Sequence, residues 1–174
     1  MLFRERAYQL TITASRFERV ALVLLLTASP AFGGYVFTTI AVPGSGGTIP
    51  RGINDSGEIV GNDGLNHGFI YSGGAFTYLN VPGANAGSTR VFGVNNLGDV
   101  VGSYSLFGGN GFEYTGGNFV SLHDAGHTIQ FDGINNLGQI VGTYQDAAGI
   151  HGLLYSGGSL TVFDAPGALG AAAS

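Results

Sequence analysis

Gly52-Ile53-Asn54-Asp55-Ser56-Gly57-Glu58-Ile59-Val60-Gly61 is the stretch that decides the fold. It returns as Gly93-Val94-Asn95-Asn96-Leu97-Gly98-Asp99-Val100-Val101-Gly102 and as Gly133-Ile134-Asn135-Asn136-Leu137-Gly138-Gln139-Ile140-Val141-Gly142, at spacings of 41 and 40 residues. A fixed period of this size marks an array, a propeller or a pseudo-symmetric barrel built from one supersecondary unit. Two further segments travel with it. One is His67-Gly68-Phe69-Ile70-Tyr71-Ser72-Gly73-Gly74, with counterparts from Asn110 and His151. The other is a strand-like run that ends in Pro82-Gly83-Ala84 in the first copy and Pro166-Gly167-Ala168 in the third.

Each copy holds four strand candidates, rich in β-branched and aromatic residues and free of any 3.6-residue apolar stripe. The first precedes the Asn-x-x-Gly element, over 89–94 and 129–134. The second follows it, over 58–61, 99–104 and 139–144. The third covers 67–71, 110–114 and 151–155, and the fourth 75–81, 118–123 and 159–165. The connections are hairpin chemistry. In Asn54-Asp55-Ser56-Gly57 and its counterparts, glycine takes the positive-φ position of a type I turn with a bulge. Ser72-Gly73-Gly74, Thr115-Gly116-Gly117 and Ser156-Gly157-Gly158 read as two-residue hairpin turns. Pro-Gly-Ala ends the fourth strand and crosses to the next unit. The unit is a four-stranded antiparallel meander, the shape of a propeller blade.

The glycines at 61, 102 and 142 and those at 68, 111 and 152 fall on strands, where glycine marks a bulge or a close backbone approach. The two columns are expected to face each other where neighbouring sheets nearly touch. Phe69 with Tyr71, Phe112 with Tyr114 and Leu153 with Tyr155 share the face expected to form the core. Ile70, Glu113 and Leu154 point the other way.

These motifs resemble the HAF-type repeat of bacterial extracellular proteins. The similarity covers residues 36–168 and rests on three separate motifs recurring in order. It implies export and a propeller-like all-β architecture, and it carries no catalytic residues. The second copy departs from it: Asn110 replaces the histidine and Ala125-Gly126 replaces Pro-Gly.

Composition agrees with an all-β domain. The 174 residues are enough for one domain and include 32 glycines, nearly all beyond residue 33, with eight tyrosines and twelve phenylalanines. Charged residues make up only 10%, against roughly 25% in ordinary soluble domains. Lysine is absent. Beyond residue 33 only Arg51 and Arg90 face nine acidic residues, a net charge near −7. Such a surface repels phosphate backbones, which argues against nucleic acid as a partner, and it suits neutral ligands such as glycans. The absence of cysteine removes disulfides, thiolate chemistry and cysteine-bound metals.

The N-terminus reads as an address. Arginines within residues 1–19, an apolar run over 20–28 and small residues at Ala31 and Gly33 form the three-part pattern of a secretory signal peptide. Residues 1–33 are therefore expected to be removed, leaving 34–174 as a secreted or cell-envelope domain. The run is too short for a span of about 20 residues; an uncleaved anchor is the alternative.

The units fall at about 48–84, 89–126 and 128–168, with an extra N-terminal strand expected over 37–44. Three blades are too few for an ordinary propeller. The readings are a truncated product, an open array, or a protomer that closes by association, with exposed sheet edges as a route to self-association. A closed three-fold barrel of the β-trefoil or β-prism kind is the alternative architecture.

No G-x-S-x-G elbow, phosphate loop or H-E-x-x-H occurs. His67 and His151 share a repeat column and read either as ties to backbone or as ligand contacts. Tyr104 and Tyr144 are candidates for stacking on a sugar, or for packing against the neighbouring unit. His123, Asp124 and His127 form a weak metal pattern, since imidazoles beside a carboxylate bind zinc or copper. Asp55, Glu58 and Asp63 suggest calcium, but they do not recur in the other copies, and turn chemistry accounts for such residues by itself. No cofactor is otherwise expected. The functional expectation is a non-catalytic binding or structural repeat module that meets a glycan or a surface protein. A propeller-type hydrolase or lyase fragment is the alternative.

Overall fold

A computed structural model of the chain describes residues 36–166. The proposed signal peptide over 1–33, and Gly167-Ala168 of the last Pro-Gly-Ala, lie outside the described residues. Twelve strands fall into three four-stranded antiparallel sheets, each in simple sequence order. The first sheet holds β1 (Thr48–Ile53), β2 (Ile59–Asp63), β3 (Gly68–Ser72) and β4 (Ala75–Leu79). The second holds β5 (Arg90–Val94), β6 (Val100–Ser105), β7 (Gly109–Thr115) and β8 (Asn118–Leu122). The third holds β9 (Thr128–Ile134), β10 (Ile140–Gln145), β11 (Ile150–Ser156) and β12 (Ser159–Phe163). The three meanders are separate sheets, so the architecture is the propeller-like array and not the closed three-fold barrel.

The turns obey their residues. Asn54, Asn95 and Asn135 each accept the amide of the glycine three positions on, at 3.0, 3.2 and 3.1 Å. Gly57, Gly98 and Gly138 hold φ of 79°, 82° and 72°. In the Gly-Gly turns both glycines have positive φ, as a type I′ turn requires. Each first strand carries a bulge opposite the second strand, at Arg51, Phe92 and Asp132.

The core sits between sheets. Alternation along each strand gives every sheet two apolar faces. Val60, Leu79 and Val81 of the first unit pack on Val91, Val100, Tyr104 and Phe112 of the second. Val101 of the second packs on Ile129, Phe131, Ile140, Tyr144 and Leu153 of the third. Val100 and Val101, neighbours on β6, thus serve opposite junctions. Phe69, Phe112 and Leu153 are fully buried, as the sequence pattern predicts, yet Ile70 on the opposite face also joins a core. First strands stack closely: a Cβ on Gly93 would sit 3.2 Å from Gly133 Cα.

Two expectations are corrected. No strand forms over 37–44. The Val42 amide donates to Thr48 Oγ1 at 2.8 Å, and its carbonyl accepts the Ser45 hydroxyl at 3.0 Å. The turn at Pro43 thereby uses groups a ladder would need, and Phe37 is 91% exposed. The two glycine columns also do not face each other. A Cβ at Gly61, Gly102 or Gly142 would strike the carbonyl oxygen of Ile49, Arg90 or Gln130 on the first strand of its own sheet. Gly68 and Gly111 instead lie under Val91 and under Ile129 with Phe131 of the following sheet, while Gly152 lies under its own Phe163.

Candidate functional site

Antiparallel meanders put the Asn-x-x-Gly and Gly-Gly turns at one end of each sheet and the variable loops at the other. At the loop end of the first sheet lies an open hollow of about 310 Å³, formed by Pro43, Gly44, Ser45, Asp63, Leu65, His67, Tyr78 and Asn80. β2 delivers Asp63 at its end, and β4 presents Tyr78 directly opposite Phe69 of β3. Sheet register therefore sets the tyrosine beside the histidine.

Asp63 is 2% exposed and organises the loop. Its Oδ1 accepts the amides of Leu65 and His67, both at 2.8 Å, and its Oδ2 meets His67 Nδ1 at 2.9 Å. Burial is the largest single influence and pushes this carboxyl up. The bonds from His67 and Leu65 together outweigh it and hold the carboxyl below the usual range. In the neutral ring, an ionised Asp63 places the His67 proton on Nδ1, and Nε2 is then an acceptor. The His67 ring stands edge-on to Tyr78 with centroids 6.2 Å apart. Tyr78 is 47% exposed and Leu65 59%. The hollow thus offers an exposed aromatic ring, an aliphatic side chain, an imidazole acceptor and the Asn80 amide.

His151 lies elsewhere. Its Nδ1 meets Asp164 at 2.7 Å and its Nε2 meets Asp146 at 3.1 Å, so both nitrogens are occupied. Those carboxylates, Asp164 foremost, raise its pKa. In the second unit Asn110 accepts from His123, across the same pair of strands on which His151 meets Asp164. The second unit carries its histidine one strand over from position 110, so each unit has an imidazole at its loop end.

Tyr104 and Tyr144 are only 7% and 8% exposed and offer no free ring face to a sugar. Both pack into the junction with the preceding unit, where apolar contact outweighs exposure of the ring. The Tyr144 hydroxyl donates to Asp124 at 2.7 Å, which pushes its pKa up to about 12 and holds Asp124 low. The His127 ring lies tilted against Tyr144, and its Nδ1 is 3.1 Å from the same carboxylate, off the line of a hydrogen bond. His123 is therefore drawn off to Asn110, while Asp124 and His127 meet each other and Tyr144. Asp55, Glu58 and Asp63 are likewise engaged by Asn96, Asn54 and His67. Among the described residues no group of three or more His, Asp or Glu is placed to hold a metal.

Sequence reasoning missed Tyr78. Its signal was a departure from the repeat: the column reads Tyr78, Ser121, Val162, an aromatic in one copy alone. Comparison with protein-family models and with curated proteins gives no match.

Proposed function

We propose that the chain is a secreted or cell-surface repeat module that binds a neutral glycan without transforming it, at the hollow beside Tyr78. The observation that carries this reading is the half-exposed Tyr78 ring with His67 and Asn80 on its flank. A sugar ring presents C–H groups on one face and hydroxyls at its edge. Tyr78 and Leu65 suit the first; His67 Nε2 and the Asn80 amide suit the second. The acidic surface disfavours anionic ligands. Export rests on the pattern in residues 1–33, and membership of the HAF-type extracellular repeats rests on the three recurring motifs.

The test is a glycan-array screen with the full chain, followed by titration of any hit. Tyr78→Ala should weaken binding at least tenfold while the far-ultraviolet spectrum is unchanged. An empty array, or a hit indifferent to Tyr78→Ala, overturns the proposal.

A further inference from the structure

The repeat makes every surface position comparable with two others, and the comparison isolates two unmatched faces. Val60 and Val101 point at the following sheet and are fully buried; Val141, the same column, is 51% exposed. Val100 and Ile140 point at the preceding sheet and are fully buried, whereas Ile59 is only partly buried. Ile53 is 66% exposed, while its counterparts Val94 and Ile134 pack against a core. The outward face of the third sheet carries a hollow of about 340 Å³ beside Val141 and Leu154. The outward face of the first carries one of about 360 Å³ beside Ile53 and Ile59. At the two junctions inside the chain, these same columns fill each other.

Polar groups repeat the pattern. Asn54 Nδ2 donates to Asn95 O at 3.0 Å, and Asn95 Nδ2 to Asn135 O at 3.2 Å. The Asp55 amide donates to Asn96 Oδ1, and the Asn96 amide to Asn136 Oδ1, both at 2.9 Å. In the third unit, Asn135 Nδ2 meets only Gln139 of its own turn. The next rungs would be Asn135 to an Asn54 carbonyl and the Asn136 amide to an Asp55 carboxylate. The bulge residues add charge. Arg51 sits over the Phe92 ring at 5.8 Å, so successive bulges touch across a junction. The third bulge is Asp132, opposite in sign to Arg51.

We infer that two copies of this chain pair head to tail, the third sheet of each on the first sheet of the other, closing a ring of six sheets. Such an interface is heterologous and terminates only if it closes, and six lies within the range of propeller blade numbers. The contact is face to face, distinct from pairing of edge strands. The hollow beside Tyr78 stays open in this assembly, because its counterparts Ser121 and Val162 remain exposed at the formed junctions. The inference therefore stands or falls apart from the glycan proposal.

Two measurements on the full chain test it. Sedimentation velocity should give twice the 17.8 kDa chain mass, and Val141→Glu should weaken the dimer at least tenfold with an unchanged far-ultraviolet spectrum. Because the chain has no cysteine, D55C and N136C can be paired by a short bismaleimide. A mixture of the two variants should yield the crosslinked D55C–N136C dimer, and neither variant alone should crosslink. A monomer at every concentration overturns the inference. So does association that survives Val141→Glu, whether through residues 1–33, an edge strand or another surface, and so does crosslinking within a single variant.

Discussion

Asn95 shows at the scale of one residue why the repeat motif needs its asparagine. It is 3% exposed, and its Oδ1 accepts the amides of Leu97 and Asp99, both at 2.9 Å. Its Nδ2 donates to Asp99 at 2.8 Å and to the Asn135 carbonyl of the next unit. One side chain thus closes its own turn and ties two sheets. Asn95→Ala should cost about 2–3 kcal/mol, because buried amides lose their partners. Asn135→Ala, exposed and with its Nδ2 bonded only within its own turn, should cost about 1 kcal/mol. Urea unfolding of both variants checks the difference. Gly102→Ala is predicted to cost at least about 2 kcal/mol, since its Cβ would strike the Arg90 carbonyl at the bulge and the backbone has little room to give.

At the scale of the element, the pair β11 and β12 carries a pH-sensitive tie. His151 lies between Asp164, just beyond β12, and Asp146, just beyond β10. Its pKa is raised in the fold, chiefly by Asp164 and then by Asp146. A raised histidine pKa contributes stability that is fully present below the unfolded value of about 6.5 and is lost as pH rises through the folded value. The stability gap between wild type and His151→Gln should therefore be widest near pH 5.5 and shrink toward pH 8.5. Asp146 titrates low, held down mainly by the Ala148 amide and then by His151, and its contribution fades only at acid pH. Paired urea midpoints across this range read the sign directly; a gap that widens toward alkaline pH contradicts the assignment.

For the whole molecule, sheets stacked in series give a nearest-neighbour ledger in which each unit depends on the units beside it. The second sheet is covered by a neighbouring sheet on both faces, the first and third on one each. Hydrogen exchange at concentrations where the chain is monomeric should find β6 amides slowest and those of β1 and β12 fastest. Raising the concentration should slow exchange in β1 and β10, where the inferred head-to-tail contact falls, and leave β6 unchanged.

Local chemistry made the strands and turns legible. Hairpin turns are fixed by a few residues with special φ, and the alternation between them assigns two faces to each strand, so the meander order and eleven of the twelve described strands could be read from the motifs, β1 being the one not delimited. The aromatic core followed from the same alternation. Residues 37–44 misled because their β-branched character competes with a turn at Pro43 that only the Thr48 and Ser45 contacts reveal. Tyr104 and Tyr144 stood open between a sugar and the neighbouring unit, because exposure depends on which sheet packs above a strand end. Asn110 looked like a lost histidine until its bond with His123 across the strands showed the pair exchanged. The sequence by itself determined the unit, its strand order and its turns, because hairpins depend on neighbours in the chain. Tertiary structure alone decided which sheet each apolar face meets, that Tyr78 keeps an exposed ring beside His67, and that Val141 and Ile59 are left without their counterparts. Those facts depend on contacts about 40 residues apart, which no local pattern encodes.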